Sequence, residues 1–311
     1  MSIEIVSWKN QPNPVYDYIA NLRSPASRRV IAIALRNMIL LVTEEDGGIA
    51  PDAIFHFPWW ELRKKHVNIL RSRLIENYSF ATVNQHLSAL RGVLKSCWEA
   101  GLMDQDAYMR AVSVENERGE VEPAGRDIPA AELRQLLLSC YEDGKKGVRD
   151  LAILAVLATC GLRRAELSAL DLEHLYLNTG ALLVHGKGQK ERTVYILNEA
   201  RVALDNWMAL RGDAPGSLFY RFRKGDVMIA KRLSAQSVYN MIEERASRLG
   251  LERLTPHDFR RTLVGNLLDI GVDAVTVANI TGHSSMDMVK RYDRRKDRAK
   301  KTAQDKLHLP I

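Results

Sequence analysis

Apolar residues recur with a helical period over most of the first third of the chain. One such stretch follows Ser24-Pro25 and runs to Val42, and a second covers residues 59–77. A third helix is expected to start with a capping box at residues 82–85 and to end near Glu99. Its apolar face comprises Val83, Leu87, Leu90, Val93 and Leu94. The pattern predicts a helical domain over residues 1–112.

The apolar period stops between residues 113 and 127. Glutamates, Gly119, Pro123 and Gly125 are concentrated there, which is typical of a linker. Residues 128–311 are again predicted to be mainly helical, except for two β-prone runs, 182–185 and 192–196, around a predicted hairpin turn at 186–191. We therefore expect two domains and a fold that is mainly α with a small antiparallel β-sheet.

Charge is unevenly distributed between these regions. The net charge is +7 over 311 residues, and residues 128–311 carry 30 Lys and Arg against 22 Asp and Glu, whereas residues 114–127 are acidic. Clustered cations favour a polyanionic partner because they release condensed counterions from nucleic acid. Charge alone does not establish specific binding of nucleic acid.

The cysteines and the length of the apolar runs indicate in which cellular compartment the protein is expected. Cys97, Cys140 and Cys160 lie in apolar stretches without CxxC spacing, which predicts buried free thiols in a reducing environment. The sequence has no basic segment followed by an apolar run at its start, and its longest apolar stretch is too short to span a bilayer. We expect a cytoplasmic protein without a membrane partner.

Two polar helix faces are candidate DNA contacts. The first comprises Asn84, Gln85 and Arg91, opposite the apolar face of the helix that ends near Glu99. The second comprises Arg232, Gln236 and Asn240, on a capped helix predicted for residues 232–240, and these residue types read base edges. An ordinary solvated helix surface explains either set equally well.

His257 and Arg260 are the first candidates for chemistry. They lie three residues apart and so share one helix face, in a helix for which Thr255 is a suitable N-cap and Pro256 a suitable first residue. A helix N-terminus favours a phosphate, and the planar guanidinium donates two parallel hydrogen bonds to it. An isolated pair of this kind is also common on exposed helices.

His283 and Tyr292 extend this candidate site. His283 follows Gly282, a plausible residue to end a helix, and Tyr292 comes nine residues later among Lys290, Arg291, Arg294 and Arg295. A tyrosine nucleophile must lose a proton whose pKa is about 10, and nearby cations favour the phenolate. A half-buried aromatic on an amphipathic helix is the alternative explanation of Tyr292.

Four sequence blocks together resemble the tyrosine recombinase (phage integrase) family, over most of residues 128–295. They are the block around Arg163 and Glu166, the Gly186-Lys187-Gly188 turn, the block that starts with His257-Asp258-Phe259-Arg260, and Gly282-His283 with Tyr292. The intervals of 24 residues from Arg163 to Lys187 and 23 from Arg260 to His283 are familiar for the family. Thr281 departs from it, because an apolar residue often precedes Gly-His.

The resemblance implies a role for each matching residue. Arg163 and Arg260 clamp the scissile phosphate, and His283 hydrogen-bonds a phosphate oxygen. His257 shuttles the proton of the nucleophile Tyr292, which forms a 3′-phosphotyrosyl bond. Lys187 protonates the departing 5′ oxygen, and Glu166 orients the active site. Neither a metal nor another cofactor is implied. Arg164 and Arg261 adjoin the two catalytic arginines, and a role for either stays open.

The resemblance also implies an assembly. We expect a C-shaped clamp on double-stranded DNA carrying a specific recombination site, formed by a helical core-binding domain (1–112), an acidic linker (113–127) and a catalytic domain (128–311). A homotetramer on two sites, or a heterotetramer with a related recombinase, exchanges strands through a Holliday junction. The apolar residues 307–311 are candidates for docking on a neighbouring protomer.

Two other activities are compatible with the motifs. A type IB topoisomerase uses similar chemistry, and a DNA-binding regulator can keep the fold without the activity, although the complete residue set argues against the regulator. The motifs do not separate chromosome-dimer resolution, phage integration, plasmid resolution and transposon movement. The short segment before Pro12 favours a host-type or small mobile-element recombinase over the larger phage integrases.

Overall fold

The structure is a computed structural model that describes residues 13–43, 48–119, 125–186 and 190–283, together with 286 and 289. The chain folds into two compact units, Met1–Val121 and Glu122–Ile311. Each unit has its own hydrophobic core. The domain boundaries predicted at residues 112 and 128 remain predictions.

The first unit is helical. Its helices are α1 (Pro14–Ala20), α2 (Pro25–Thr43), α3 (Ala53–His56), α4 (Lys64–Asn77), α5 (Phe80–Glu99) and α6 (Gln105–Val112). The apolar face predicted for α5 is confirmed, because Val83, Leu87, Leu90, Val93 and Leu94 are all buried. α5 packs this face against α1, α2, α4 and α6, and so forms the centre of the unit.

Two predicted helix starts in this unit are wrong. The helix expected from residue 59 begins at Lys64, and Trp59–Glu61 forms a separate 3-10 turn. The Trp59 side chain is buried there and its indole N–H donates to the Ile54 carbonyl at 2.8 Å, so it belongs to the core beside α3. The capping box expected at residues 82–85 is absent, since α5 begins at Phe80 after an extended Ser79.

The segment after α6 is held on the surface of the first unit. Arg91 donates to the Val114 carbonyl at 2.5 Å, and the Asn84 amide exchanges two hydrogen bonds with the Glu117 backbone, of 3.0 and 2.8 Å. Arg71 forms an ion pair with the Glu117 carboxylate. The first half of the predicted linker therefore lies against α4 and α5.

The second unit mixes helices with two small sheets. Its helices are α7 (Ala130–Leu138), α8 (Gly144–Cys160), α9 (Arg164–Ala169), α10 (Asn198–Arg211), α11 (Ala235–Arg248), α12 (Pro256–Asp269) and α13 (Ala274–Thr281). Its strands are β1 (Leu175–Tyr176), β2 (Ala181–His185), β3 (Glu191–Tyr195), β4 (Tyr220–Arg223) and β5 (Val227–Arg232). α8 is buried at the centre, where it packs against α10 and α12.

The predicted hairpin is confirmed, and a second one was missed. β1, β2 and β3 form an antiparallel sheet in that order, with Leu183 opposite Thr193. β4 and β5 form a separate antiparallel hairpin, whose strands are largely exposed and lack the alternation of apolar and polar residues that marks a half-buried strand. Arg232 is the last residue of β5, so the helix predicted to begin there starts only at Ala235, after the N-cap Ser234.

The three cysteines are free and buried, as predicted. Burial raises the pKa of Cys97 to about 12 and the pKa values of Cys140 and Cys160 to about 11. These thiols are therefore protonated and unreactive at neutral pH. Within the part of the chain that the structure describes, none of the helices has the length and apolar character needed to cross a membrane.

Candidate active site

The junction between α8 and α9 positions Arg163. Gly161 ends α8 with φ +59°, a left-handed conformation that glycine adopts without strain, and an added Cβ would lie 2.9 Å from Leu263 Cδ2. After this turn Arg163 is the extended N-cap residue of α9. The Glu166 carboxylate, in the first turn of α9, accepts from the Arg163 backbone N–H at 2.9 Å and from its guanidinium at 2.7 Å.

Glu166 is shared between two arginines. It also accepts two hydrogen bonds from the guanidinium of Arg192 on β3, of 2.8 and 3.2 Å. Burial alone would raise the pKa of Glu166, but the hydrogen bonds and charges of Arg192 and Arg163 outweigh it, so the pKa is lowered. A buried carboxylate thus fixes the positions of two guanidinium groups.

Arg192 was not among the residues predicted from the sequence. It lies in the predicted second strand of the hairpin, five residues after Lys187, and its side chain is only 12% exposed. The one local signal was an arginine on a β-prone strand next to a family motif. Its partners, Glu166 and the Ile280 carbonyl, lie 26 and 88 residues away in sequence, so no local pattern indicates them.

The start of α12 matches its prediction. Thr255 is the N-cap, and the Asp258 carboxylate accepts from the Thr255 backbone N–H at 2.6 Å and from its hydroxyl at 2.8 Å. His257 therefore lies in the first turn with an exposed side chain. Arg260, one turn further, is only 3% exposed and donates to the Gly161 carbonyl at 2.9 Å.

Three arginines converge on the end of α13. Gly282 ends this helix with φ +68°, as predicted, and three consecutive carbonyls at its end each accept from a different guanidinium. The Ile280 carbonyl accepts from Arg192 Nε at 2.9 Å, that of Thr281 from Arg260, and that of Gly282 from Arg163 at 3.0 Å. Arg163, Arg192 and Arg260 are thereby brought to the three residues that precede His283.

The two histidines share the field of these arginines. Loss of solvation, and then the charges of Arg260 and Arg163, lower the pKa of His283 to about 3. The pKa of His257 is lowered by the same causes, with a partial offset from Asp258. Both imidazoles are therefore neutral at pH 7. The Thr281 hydroxyl lies 2.7 Å from Nδ1 of His283.

Lys187 and Tyr292 lie outside the described residues. The strands that lead to Lys187 are described, with His185 opposite Glu191 and the Gly186 N–H donating to the Lys190 carbonyl at 2.6 Å. Arg164 and Arg261, the neighbours of the two candidate arginines, contact other groups. Arg164 lies over the Tyr239 ring, 5.8 Å from its centroid, and Arg261 donates to the Gly125 carbonyl.

Most of the candidate DNA contacts bind other groups of their own unit. In the first unit Asn84 and Arg91 bind the segment after α6, whereas Gln85 is exposed on α5. In the second unit Arg232 donates to Ser168 and Asp171, and Gln236 donates to Asn240 at 2.7 Å on α11.

Residues 126–298 match the model of the phage integrase family. The chain is 29% identical over 252 residues to tyrosine recombinase XerD of Pseudomonas aeruginosa, covering 79% of this chain and 77% of that protein. It is 32% identical over 238 residues to tyrosine recombinase XerC of Azotobacter vinelandii, covering 75% and 76%. Its fold is similar to that of the XerH site-specific recombinase bound to palindromic difH substrate in a post-cleavage complex, with a TM-score of 0.65 at 19% identity, covering 90% of this chain and 80% of that one.

Proposed function

The chain belongs to the phage integrase family and is a tyrosine site-specific recombinase, and from this premise we propose that it cuts and rejoins double-stranded DNA through a 3′-phosphotyrosyl intermediate on Tyr292. Successive exchanges of single strands between two sites then pass through a Holliday junction.

The convergence of three arginines beside His283 carries this proposal. Attack on a phosphodiester builds negative charge on its nonbridging oxygens, and cationic donors fixed in advance stabilise that charge without reorganising during the reaction. Arg163 and Arg260 are fixed by Glu166 and by the backbone at Gly161, Thr281 and Gly282. We assign these two arginines to the scissile phosphate, with Glu166 and Arg192 holding Arg163 and the end of α13.

The neutral histidines fit two different roles. An imidazole with a lowered pKa is unprotonated near neutral pH, as a proton acceptor must be, and His257 is the exposed one in a helix first turn. We assign His257 to the phenol proton of Tyr292. We assign His283 to a hydrogen bond with a phosphate oxygen, to which it donates once the charge of the bound phosphate has favoured the protonated ring.

Tyr292 as the nucleophile and Lys187 as the proton donor complete the proposed cleavage step. The Tyr292 oxygen bonds to phosphorus and its proton passes to His257, while the bond from phosphorus to the 5′ oxygen breaks and that oxygen takes a proton from Lys187. The phosphodiester bond energy is kept in the phosphotyrosyl bond, so no nucleotide cofactor is required. Rejoining is the same step in reverse with a 5′ hydroxyl from the partner strand.

DNA is the proposed partner on chemical grounds as well. The basic excess of residues 128–311 suits a phosphate backbone. The XerH relative was solved on its difH substrate. We keep Gln85, Gln236 and Asn240 as proposed base contacts. Asn84, Arg91 and Arg232 would first have to exchange their present protein partners for DNA. A tetramer on two sites is part of this proposal.

A covalent-trapping assay tests the chemistry. Nicked suicide substrates tiled from the DNA that flanks the gene are incubated with the wild type, Tyr292→Phe and Tyr176→Phe, and denaturing gels reveal protein bound covalently to DNA. Tyr176 is a matched control because it is a tyrosine 54% exposed on β1. We expect a band with the wild type and Tyr176→Phe and none with Tyr292→Phe.

The other outcomes separate the alternatives. A band that persists in Tyr292→Phe overturns the assignment of the nucleophile. Specific binding without any band favours a DNA-binding regulator, whereas relaxation of supercoiled DNA without recombinant products favours a topoisomerase.

A further inference from the structure

Thr281 is the last residue of α13 and is completely buried. Its hydroxyl oxygen lies 2.6 Å from the Val277 carbonyl oxygen and 2.7 Å from Nδ1 of His283. An apolar residue, as the family often has here, could form neither hydrogen bond.

The chemistry of the three atoms determines the direction of both hydrogen bonds. A hydroxyl has one proton to donate, and the Val277 carbonyl can only accept. If the hydroxyl proton pointed to Nδ1 instead, two oxygens without a proton between them would lie 2.6 Å apart, which is repulsive. The hydroxyl therefore donates to Val277 and accepts from His283, so Nδ1 carries the proton of the neutral imidazole.

We propose that Thr281 is a positioning residue for DNA cleavage, whose hydroxyl holds the His283 ring and keeps its Nδ1 protonated so that Nε2 faces the scissile phosphate. This inference rests on the proposed function, in which His283 binds a phosphate oxygen. Nε2 donates to that oxygen when the ring is doubly protonated, and the negative charge of a bound phosphate favours that form.

The surrounding groups explain why the ring needs a fixed partner. Arg163, Arg192 and Arg260 bind the carbonyls of residues 280–282, so they hold the backbone that leads to His283. The Thr281 hydroxyl adds a contact with the imidazole itself. Partners that orient a metal-bound histidine through its second ring nitrogen change metal affinity or activity by about 10-fold or more when they are removed, and we expect an effect of the same order at His283.

The test compares Thr281→Val, Thr281→Ser and Thr43→Val in the covalent-trapping assay at saturating DNA, with DNA affinity measured separately. Thr43 is the matched control, because it also ends a helix and its hydroxyl donates to the carbonyl four residues earlier, at 3.0 Å. We expect Thr281→Val to slow cleavage by about 10-fold without weakening DNA binding. Thr281→Ser and Thr43→Val should cleave at nearly the wild-type rate.

Nitrogen-15 NMR of histidine-labelled protein without DNA provides the second readout, with His283→Asn used to assign the signal. Nδ1 of His283 should be the protonated nitrogen at pH 7 in the wild type and in Thr281→Ser, and this preference should be lost in Thr281→Val.

An unprotonated Nδ1 in the wild type, or wild-type cleavage by Thr281→Val, overturns the proposal. The wild-type and Thr281→Ser spectra decide it even if Thr281→Val does not fold. Absence of any covalent band from the wild type would refute the proposed function instead, and the NMR result on the Thr281–His283 hydrogen bond would stand apart from it.

Discussion

The two helix ends that carry the candidate histidines are built in opposite ways. The start of α12, with His257, is capped mainly by its own residues, because Thr255 and one oxygen of Asp258 bond to each other across the first turn, while the other Asp258 oxygen accepts from the Arg126 backbone N–H at 2.7 Å. The end of α13, before His283, is completed by arginines that come from three other elements. The cap of the first end is therefore formed mainly by local contacts, whereas the second end depends on the tertiary fold.

The two helix ends also differ in their electrostatic potential. A helix N-terminus carries partial positive charge and favours an anion, whereas a C-terminus carries partial negative charge from its last carbonyls. A phosphate beside His283 would meet those carbonyls, but Arg163, Arg192 and Arg260 occupy them. The arginines thus offset the negative end of the helix dipole, as the proposed phosphate site requires.

Removal of Glu166 should have the largest effect on the arginine cluster at the end of α13. Glu166→Ala leaves Arg163 and Arg192 without the buried carboxylate they share, and we expect the free energy of unfolding to fall by about 3 kcal/mol. Urea denaturation measures this loss. Asp205→Ala, which removes the exposed partner of Arg201, is the control and should cost less than about 1 kcal/mol. Equal losses in the two variants would show that the Glu166 cluster does not stabilise the fold.

Gly282→Ala should destabilise the end of α13 by less than Glu166→Ala does. A Cβ at Gly282 meets a left-handed backbone and lies 2.7 Å from Arg192 Nη1, whereas Gly250 has a similar φ of +65° with no atom within 4 Å. We expect Gly250→Ala to cost about 1 kcal/mol and Gly282→Ala about 2 kcal/mol. Thermal or urea unfolding gives both values. If the two costs are the same, Arg192 moves aside freely and does not brace the helix end.

The pH dependence of stability should distinguish the two histidines. Their pKa values in the folded state lie below the ordinary value of about 6.5, so below that pH the unfolded chain binds protons that the folded chain does not. The contribution of these histidines to the free energy of unfolding is thus fully present above about pH 6.5. It decreases as the pH falls towards the folded pKa, which for His283 is about 3.

We expect His283 to account for about 1 kcal/mol of the stability lost between pH 7 and pH 5, after allowance for its partial exposure. Urea unfolding at both pH values should therefore show a smaller loss for His283→Asn than for the wild type. His257→Asn should reduce the loss by less, since its ring is more exposed. An unchanged loss in His283→Asn would mean that this imidazole is not desolvated by the fold.

The sequence was informative for several features whose determinants are local. The buried face of α5, the β2–β3 hairpin, the N-cap Thr255 and the final Gly282 follow from periodicity and from the conformational preferences of single residues. The start of α4 was predicted too early, because the apolar Trp59 continues the helical pattern although its side chain packs into the core through a separate turn.

The elements that escaped prediction depend on distant partners. The role of Arg192 is set by Glu166 and Ile280, and the polar face of α5 is partly occupied by the segment after α6. The β4–β5 hairpin has polar, exposed strands that resemble a loop in any local pattern. Such features result from tertiary contacts, which a pattern along one chain does not contain.

The end of α13 also has a consequence for local unfolding. Helix ends ordinarily fray, and their amide protons then exchange quickly with solvent. Here the amides of Gly282 and His283 both donate to the Ala278 carbonyl, at 2.7 and 3.0 Å, and the carbonyls beside them are bound by side chains from β3, from α12 and from the residue before α9. The helix end cannot open without releasing all three, so exchange at these amides follows the opening of a larger cooperative part of the second unit rather than the fraying of one turn.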